Sequence, residues 1–260
     1  MPGYAIFVTG ATSGIGLGIA RKLAASGHHL AFNGLGDAKT IDAVVSELTT
    51  LGAASCQYFD GDMRDPGAIR EMMTKAESAL GRIDGLVNNA GIQHVAPIET
   101  FTPEKWDEVI AVNLSASFHT IAAVLKGMKE REFGRIINIS SVHGLIASVN
   151  KTAYIAAKHG LVGLTKAVAL EAATFGITCN AICPAWVRTP LVEAQIEARM
   201  TANGTTREEE ARAIVGERQP NERFVTVEEI GDLVRFLIEG EGAASITGTA
   251  MPIDGAWTAQ

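Results

Sequence analysis

The sequence predicts an α/β fold: a doubly wound parallel sheet of about seven strands with helices on both faces, formed by residues 1–260 as a single domain. Three observations lead there. Short apolar runs alternate with helical periodicity from one end of the chain to the other, which is the signature of repeated βαβ units. A glycine-rich turn separates the first such run from the first helix, where this architecture places its phosphate-binding turn. Gly10, Asp62, Asn88, Ser141 and Pro184 all stand just past the ends of apolar runs. In open parallel sheets that rim is where ligands bind.

Composition narrows the function. The chain of 260 residues is 47% hydrophobic and 20% charged, enough apolar material for a sizeable core and unlike a disordered chain. A net charge of −7 and the lack of any Lys/Arg run exclude a polyanion-binding surface, so no nucleic-acid partner is expected. With no apolar run of about 18 residues and no basic leader ahead of the first strand, the expectation is a cytoplasmic protein with no membrane partner. Three cysteines suggest no disulfide framework. Cys179 and Cys183 fall on one face of a predicted strand with no histidine or carboxylate cluster beside them, so no metal site is expected.

The elements follow in order. Tyr4 to Val8 reads as a strand that runs into Thr9-Gly10-Ala11-Thr12-Ser13-Gly14-Ile15-Gly16 and then a helix carrying Ile15, Ile19 and Leu23. Glycines there let the backbone approach a pyrophosphate, and the helix N-terminus offers free N–H groups. Strand–turn–helix is the Rossmann-type arrangement, with the glycines spaced Gly-x-x-x-Gly-x-Gly rather than Gly-x-Gly-x-x-Gly. His29 to Asn33 is a second strand, Ala38 to Leu51 a helix and Ala54 to Phe59 a third strand, with another helix from Pro66. At the end of a second strand an acidic residue would hold a ribose, or a basic one would accept a 2′-phosphate. Asn33, Gly34, Leu35 and Gly36 stand there, with Asp37 just behind and Lys39 the only nearby cation. With no arginine there, and Ser13 in the turn, NAD is favoured over NADP.

A fourth strand runs from Asp84 into Asn88-Asn89-Ala90-Gly91, with Ile92-Gln93-His94 beyond. Thr102-Pro103-Glu104 opens one long helix from 103 to about 130. Asn113 lies inside it, marking either a kink with a water site or an exposed, indifferent side chain. Gly134 to Ser140 is a fifth strand, Lys151 to about Thr174 a helix and Ile177 to Ile182 a sixth strand. Residues 187–223 leave the sheet edge as a polar excursion with two short helices, a candidate substrate lid. Val227 to Ile238 and Thr249 to Ile253 supply a last helix and strand before Asp254-Gly255-Ala256-Trp257.

The chemistry centres on Ser141 and on the helix that begins near Lys151. Tyr154 and Lys158 stand i,i+4 on one face of it, with Lys151 one turn before. A phenol is a poor base at neutral pH, and a neighbouring ammonium favours its phenolate. Ser141, at the mouth of the fifth strand, can share a substrate oxygen with that tyrosine.

Thr9-Gly10-x-x-x-Gly14-x-Gly16, Asn88-Asn89-Ala90-Gly91, Asn113, Ser141, Tyr154-x-x-x-Lys158 and Pro184 together resemble the short-chain dehydrogenase/reductase family across essentially the whole chain. The resemblance implies that Tyr154 is the general acid/base and that Lys158 lowers its pKa and holds the nicotinamide ribose. It further implies that Ser141 polarises the substrate oxygen, that Asn113 anchors a water in the proton path, and that the protein is a homotetramer. Cofactor contacts are then expected from Gly10, Thr12, Ser13, Gly14, Ile15, Gly16, Leu35, Asp62, Met63, Asn89, Ala90, Gly91, Tyr154, Lys158, Pro184, Val187 and Thr189.

Within that family the chain is similar to bacterial D-3-hydroxybutyrate dehydrogenases through Asn89-Ala90-Gly91-Ile92-Gln93-His94, Ser141-Val142-His143-Gly144-Leu145, Asn150-Lys151, Trp186-Val187-Arg188-Thr189-Pro190-Leu191-Val192 and Gln195. That implies a small 3-hydroxy acid substrate whose carboxylate is surrounded by Gln93, His143, Lys151 and Gln195, with Trp186 also at the substrate. A small anion needs a cation and several donors in a dry pocket, which this set supplies. The chain departs from the pattern at Ala185 and Ala256, where glycines are usual, and at Leu35, where phenylalanine is common. The alanines fit unless φ is positive there. Two rival readings are a short-chain reductase for 3-oxoacyl thioesters, sugars or other alcohols, and a cofactor-binding regulator without turnover. The first requires an open lid and no buried cation. Intact Ser141, Tyr154, Lys158 and Asn113 count against the second.

Overall fold

The computed structural model describes residues 3–259. Seven strands form one sheet: β1 (Ala5–Val8), β2 (His29–Phe32), β3 (Ser55–Tyr58), β4 (Gly85–Asn88), β5 (Gly134–Ile139), β6 (Ile177–Pro184) and β7 (Ala250–Ile253). Their order is β3-β2-β1-β4-β5-β6-β7. Every pairing is parallel. β1, β4, β5 and β6 are buried along their whole length, as strands covered on both faces must be, so they read as largely apolar runs, and polar residues within them are hydrogen-bonded inside, as Asn88 is to Asn138. The buried positions of Cys179 and Cys183 follow from that same strand.

The order reverses between β1 and β4, because the chain crosses from β3 back to the other side of β1. That reversal opens a crevice at the carboxyl ends of the strands. The register brings those ends to one rim, with Val8 beside Phe32, Asn88 beside Asn138 and Ile139 beside Ile182.

Helices α1 (Gly14–Ala25), α2 (Ala38–Thr50) and α9 (Val227–Glu239) cover one face. They bury Ile19, Leu23, Val44, Leu48, Val234 and Leu237 against it. α3 (Pro66–Leu80), α5 (Ala116–Glu130) and α6 (Thr152–Ala172) cover the other face with Ile69, Met72, Ile121, Val124 and Val168. α7 (Pro190–Asn203) and α8 (Arg207–Gly216) make up the excursion after β6. Arg188, Glu193, Arg207 and Glu208 form one ion-pair chain between them, and Arg199 pairs with Glu210 and Glu217 in another.

Two expectations change. The single long helix at 103–130 is α4 (Pro103–Ile110) and α5 joined through a π-helical turn at Ala111–Ser115. The same run contains an 18-residue window of mean hydropathy 1.5, so by length and composition it is apolar enough to cross a bilayer, contrary to the expectation that no segment is. Here α4 and α5 pack against α6 and α3, and burial of that face accounts for the apolar composition. Asn113 sits in the π turn, 1% exposed, which removes the exposed alternative. Inserting a residue into the helical ladder redirects a side chain, and π turns recur at functional sites for that reason.

Candidate functional site

Behind β1 the chain turns through Gly10 and Gly14, both at positive φ (64° and 54°). A Cβ on Gly10 would meet the Ala90 Cα at 2.9 Å, and one on Gly16 would meet the Gly10 carbonyl oxygen at 2.3 Å. Gly10 is required by its close approach to the Ala90 backbone, and Gly16 by the packing of the helix start against Gly10 and the Asn89 side chain. Asn89 Nδ2 then donates to the carbonyls of Thr9 and Gly10 at 3.0 Å, fastening the two loops together. Ser13 precedes α1 without capping it through its side chain, so the first N–H groups of that helix are left for a ligand.

The turn opens into a groove of about 680 Å³ that runs from Asn33, Gly34 and Leu35 past Asp62 and Met63 to Tyr154 and Lys158. A narrow backbone cradle, a helix N-terminus and a long groove at the switch point fit a dinucleotide.

Beside the groove lies a smaller cavity of about 110 Å³. Tyr154 and Ser141 line it together with Gln93, His143, Lys151, Trp186, Gln195 and Trp257. Ser141 hydrogen-bonds the Tyr154 phenol, and its Oγ also accepts from the His143 backbone N–H at 3.1 Å. Gln195, on α7, donates to Gln93 Oε1 at 3.2 Å, so the excursion reaches across to the loop after β4. Trp186 and Trp257 stack with ring centroids 6.4 Å apart, and His143 stands edge-on to Trp257 at 5.7 Å. Gln219 receives the Trp186 backbone N–H at 2.9 Å and fixes that wall, while the Trp186 indole Nε1 is buried without a hydrogen-bond partner.

Burial sets the charges. It lowers the Lys151 ammonium from its ordinary range, with no carboxylate among the described residues drawing it back; its Nζ instead rests 5.1 Å above the Trp186 ring. Lys151 also precedes the first turn of α6, where the helix dipole disfavours a cation and favours an anion. His143 is pushed down to about 4 by burial and then by Lys151, so it is a neutral imidazole at pH 7, with Nε2 2.8 Å from Ser148 Oγ. Lys158 falls to about 8 through burial, and its Nζ donates to the Ile139 carbonyl at 2.8 Å.

The phenol of Tyr154 is raised, not lowered, by the protein alone: burial dominates, and the hydrogen bond to Ser141 only partly offsets it. Lys158, itself lowered to about 8 by burial, loses its charge before such a phenol ionises, so it does not bring the phenol into range by itself.

All five residues expected at the substrate line the small cavity. Gly10, Thr12, Ser13, Gly14, Ile15, Leu35, Asp62, Met63, Asn89, Ala90, Gly91, Tyr154, Lys158 and Thr189 line the groove. Three residues expected at the cofactor do not. Gly16 is packed behind the turn, and Pro184 and Val187 face the small cavity. Asn113 lines neither space: its Oδ1 accepts from the Ile92 N–H at 2.8 Å and its Nδ2 donates to the Ile92 carbonyl at 2.7 Å, so its side chain holds the loop that carries Gln93. Trp257 was missed as a wall of the cavity, although its place four residues past β7 puts it on the ligand rim. Asp60, Arg64 and Glu108, which also line the groove, carried no motif.

Comparison with known proteins agrees with this geometry. Residues 4–200 match the family model described as short chain dehydrogenase. The chain is 51% identical over 259 residues to a D-beta-hydroxybutyrate dehydrogenase of Cupriavidus necator, covering 99% of each chain. It is 49% identical to another from Rhizobium meliloti, covering 97% of this chain and 98% of that one. Among solved structures, an actinorhodin polyketide ketoreductase variant determined with NADPH superposes with a TM-score of 0.92 at 36% identity, covering 98% of this chain and 97% of that one. A match that takes in the glycine turn, the Asn89 loop, Ser141 and the Tyr154–Lys158 pair spans both the groove and the cavity beside it, and the chain therefore belongs to the short chain dehydrogenase family.

Proposed function

We propose that this protein is a reversible, NAD-dependent (R)-3-hydroxybutyrate dehydrogenase that yields acetoacetate. The observation that carries the reading is Lys151: a half-buried ammonium with no carboxylate partner among the described residues, facing a cavity of about 110 Å³ that ends on Tyr154 and Ser141. A buried cation left without a counterion calls for an anionic ligand. The cavity is small beside the ~300–1,000 Å³ of typical ligand sites, which suits a four-carbon acid.

In this reading Lys151 holds the substrate carboxylate, with Gln93, neutral His143 and Gln195 as donors, and Trp186 and Trp257 enclose the carbon chain. Bound at one end, the substrate presents a single face of C3, and this sets the stereochemistry. Tyr154 takes the hydroxyl proton, and Ser141 donates to the same oxygen as charge develops on it. Nicotinamide, when bound, accepts the hydride from C3 or returns it. Lys158 keeps two ammonium protons beyond the one given to Ile139, enough to hold a ribose hydroxyl. The segment 187–223 acts as the substrate lid of a single catalytic domain, and the enzyme works in the cytoplasm as a homotetramer.

The test is NADH formation by the purified protein with (R)-3-hydroxybutyrate, run beside the (S)-enantiomer and beside NADP. Turnover confined to the first pairing supports the reading. Equal activity on neutral ketones or thioesters moves the protein to another short-chain reductase, and tight NADH binding without any turnover moves it to a regulator.

A further inference from the structure

We infer that Asp60, at the end of β3, is the residue that selects NAD by repelling a ribose 2′-phosphate. This rests on the NAD-dependent reading above and names its specificity determinant. In doubly wound folds the adenosine ribose lies at the tip of the second strand, where an acid accepts its 2′-hydroxyl. Here that tip is Asn33-Gly34-Leu35, with neither acid nor arginine. Asp37, the nearest carboxylate in sequence, caps α2 by accepting from the Thr40 N–H at 2.8 Å and does not line the groove.

Asp60 does line it, beside Gly34 and Leu35. The Tyr58 hydroxyl donates to the Gly34 carbonyl at 2.9 Å and to Asp60 Oδ1 at 3.3 Å. The single hydroxyl proton points chiefly at the Gly34 carbonyl, and the Asp60 carboxylate lies beside it, near the β2 tip. Asn33 Nδ2 donates to the carbonyls of Phe59 and Gly61, at 3.4 and 3.1 Å, and so clamps the backbone on both sides of residue 60. The tip itself is pressed onto the glycine turn: a Cβ on Gly34 would meet Thr12 Oγ1 at 2.5 Å, and that hydroxyl donates to the Leu35 carbonyl at 2.7 Å. Arg64, the guanidinium lining the same groove, is held by Asp62 at 2.7 Å and by Glu108 at 3.7 Å. A phosphate at the β2 tip therefore meets an exposed carboxylate, while the groove's guanidinium is already paired elsewhere.

A doubly charged phosphate about 6 Å from a carboxylate loses roughly tenfold in affinity even at the dielectric of water. The experiment is calorimetric titration of NAD⁺ and NADP⁺ into the wild-type protein, Asp60→Asn and Tyr58→Phe, each at low and high salt, with a thermal melt to verify folding. Asparagine keeps the partner of Tyr58 and removes only the charge. Asp60→Asn should tighten NADP⁺ binding about tenfold and change NAD⁺ binding less than about threefold. The wild-type preference should shrink with added salt, and that of Asp60→Asn should not. Tyr58→Phe, which removes the hydroxyl beside the carboxylate, should fall between the two. If the wild type prefers NAD⁺ and Asp60→Asn leaves the ratio unchanged, the Asp60 assignment is wrong and the proposed activity stands. If the wild type binds neither dinucleotide, both fall together.

Discussion

Lys158 reaches from α6 to the carbonyl of Ile139 at the end of β5, Nζ to O 2.8 Å. Ser141 lies two residues beyond that carbonyl, and Tyr154 lies one helical turn before the lysine, its ring centroid 5.6 Å from Nζ. This bond helps fix strand and helix at the point where serine and tyrosine meet. A second contact repeats the tie one layer deeper, where Asn138 Nδ2 donates to Thr165 Oγ1 at 2.9 Å. With Ser140 Oγ donating to the Lys158 carbonyl at 3.1 Å, three bonds between rigid elements hold Ser141 and Tyr154 together, which is how a geometry is kept within a fraction of an ångström.

Removing the phenolic oxygen should therefore affect chemistry and little else. Tyr154→Phe keeps the ring and its place beside His143, so NAD⁺ binding should stay within about threefold while turnover falls by roughly 10²–10⁴. Steady-state rates set beside cofactor titration check it. Loss of both together would make the tyrosine a structural residue.

Lys151 should show opposite effects on binding and stability. Its ammonium is desolvated without a carboxylate, so Lys151→Met should raise the stability of the ligand-free protein by up to about 1 kcal/mol. The same change removes a charge-assisted bond to the carboxylate, and KM for 3-hydroxybutyrate should rise about 10–100-fold. Urea unfolding and kinetics on one preparation test both halves. Unchanged KM would take Lys151 out of the pocket.

His143 sets an acid limit. Its pKa is depressed to about 4 from 6.5, so between those values the unfolded chain binds a proton that the folded protein refuses. Stability from this group is complete above about pH 6.5, declines as pH falls, and is lost near pH 4, on the order of 3 kcal/mol in all. At 5% exposure the side chain has little solvent screening to discount. His143→Gln should flatten that part of the stability–pH curve relative to wild type. Parallel curves for the two proteins would place the titrating group elsewhere.

How far this was legible in the sequence depends on the kind of contact. β1, β4, β5 and β6 announced themselves because strands buried on both faces are predominantly apolar. The Tyr154–Lys158 pair was legible because helical periodicity alone puts i and i+4 together. Asp60 was not, since its significance comes from β3 lying next to β2 and from a tyrosine hydroxyl shared with Gly34, neither of which has a spacing in sequence. Asn113 was half legible: its oddness inside a helix was visible, but its partner, the backbone of Ile92, is reached only through the π turn. The direction of the Tyr154 shift was misjudged because desolvation is a property of the packed site, whereas the i+4 lysine is a property of the chain.

Ala256 tests whether a departure from the family pattern carries a cost. It sits at φ 72°, where the Cβ of an L-residue crowds the following carbonyl, directly after Gly255 at φ 58°. Ala185 has no such problem, because it is not among the residues at positive φ. The turn is held in spite of the strain by Asp254, which accepts from the Ala256 N–H at 3.0 Å and from the Thr258 N–H at 2.8 Å. Left-handed geometry costs an alanine about 1–2 kcal/mol, and glycine gives back about 0.5–1 kcal/mol through its freer unfolded chain. Ala256→Gly should therefore stabilise the protein by about 0.5–1 kcal/mol, read as a higher urea midpoint at unchanged slope. The next residue is Trp257, whose ring closes the substrate cavity against Trp186, so KM is the second readout. A stability gain with KM unchanged would mean that the strain only shapes the turn. A gain accompanied by a raised KM would mean that the strained alanine is what holds the tryptophan in place.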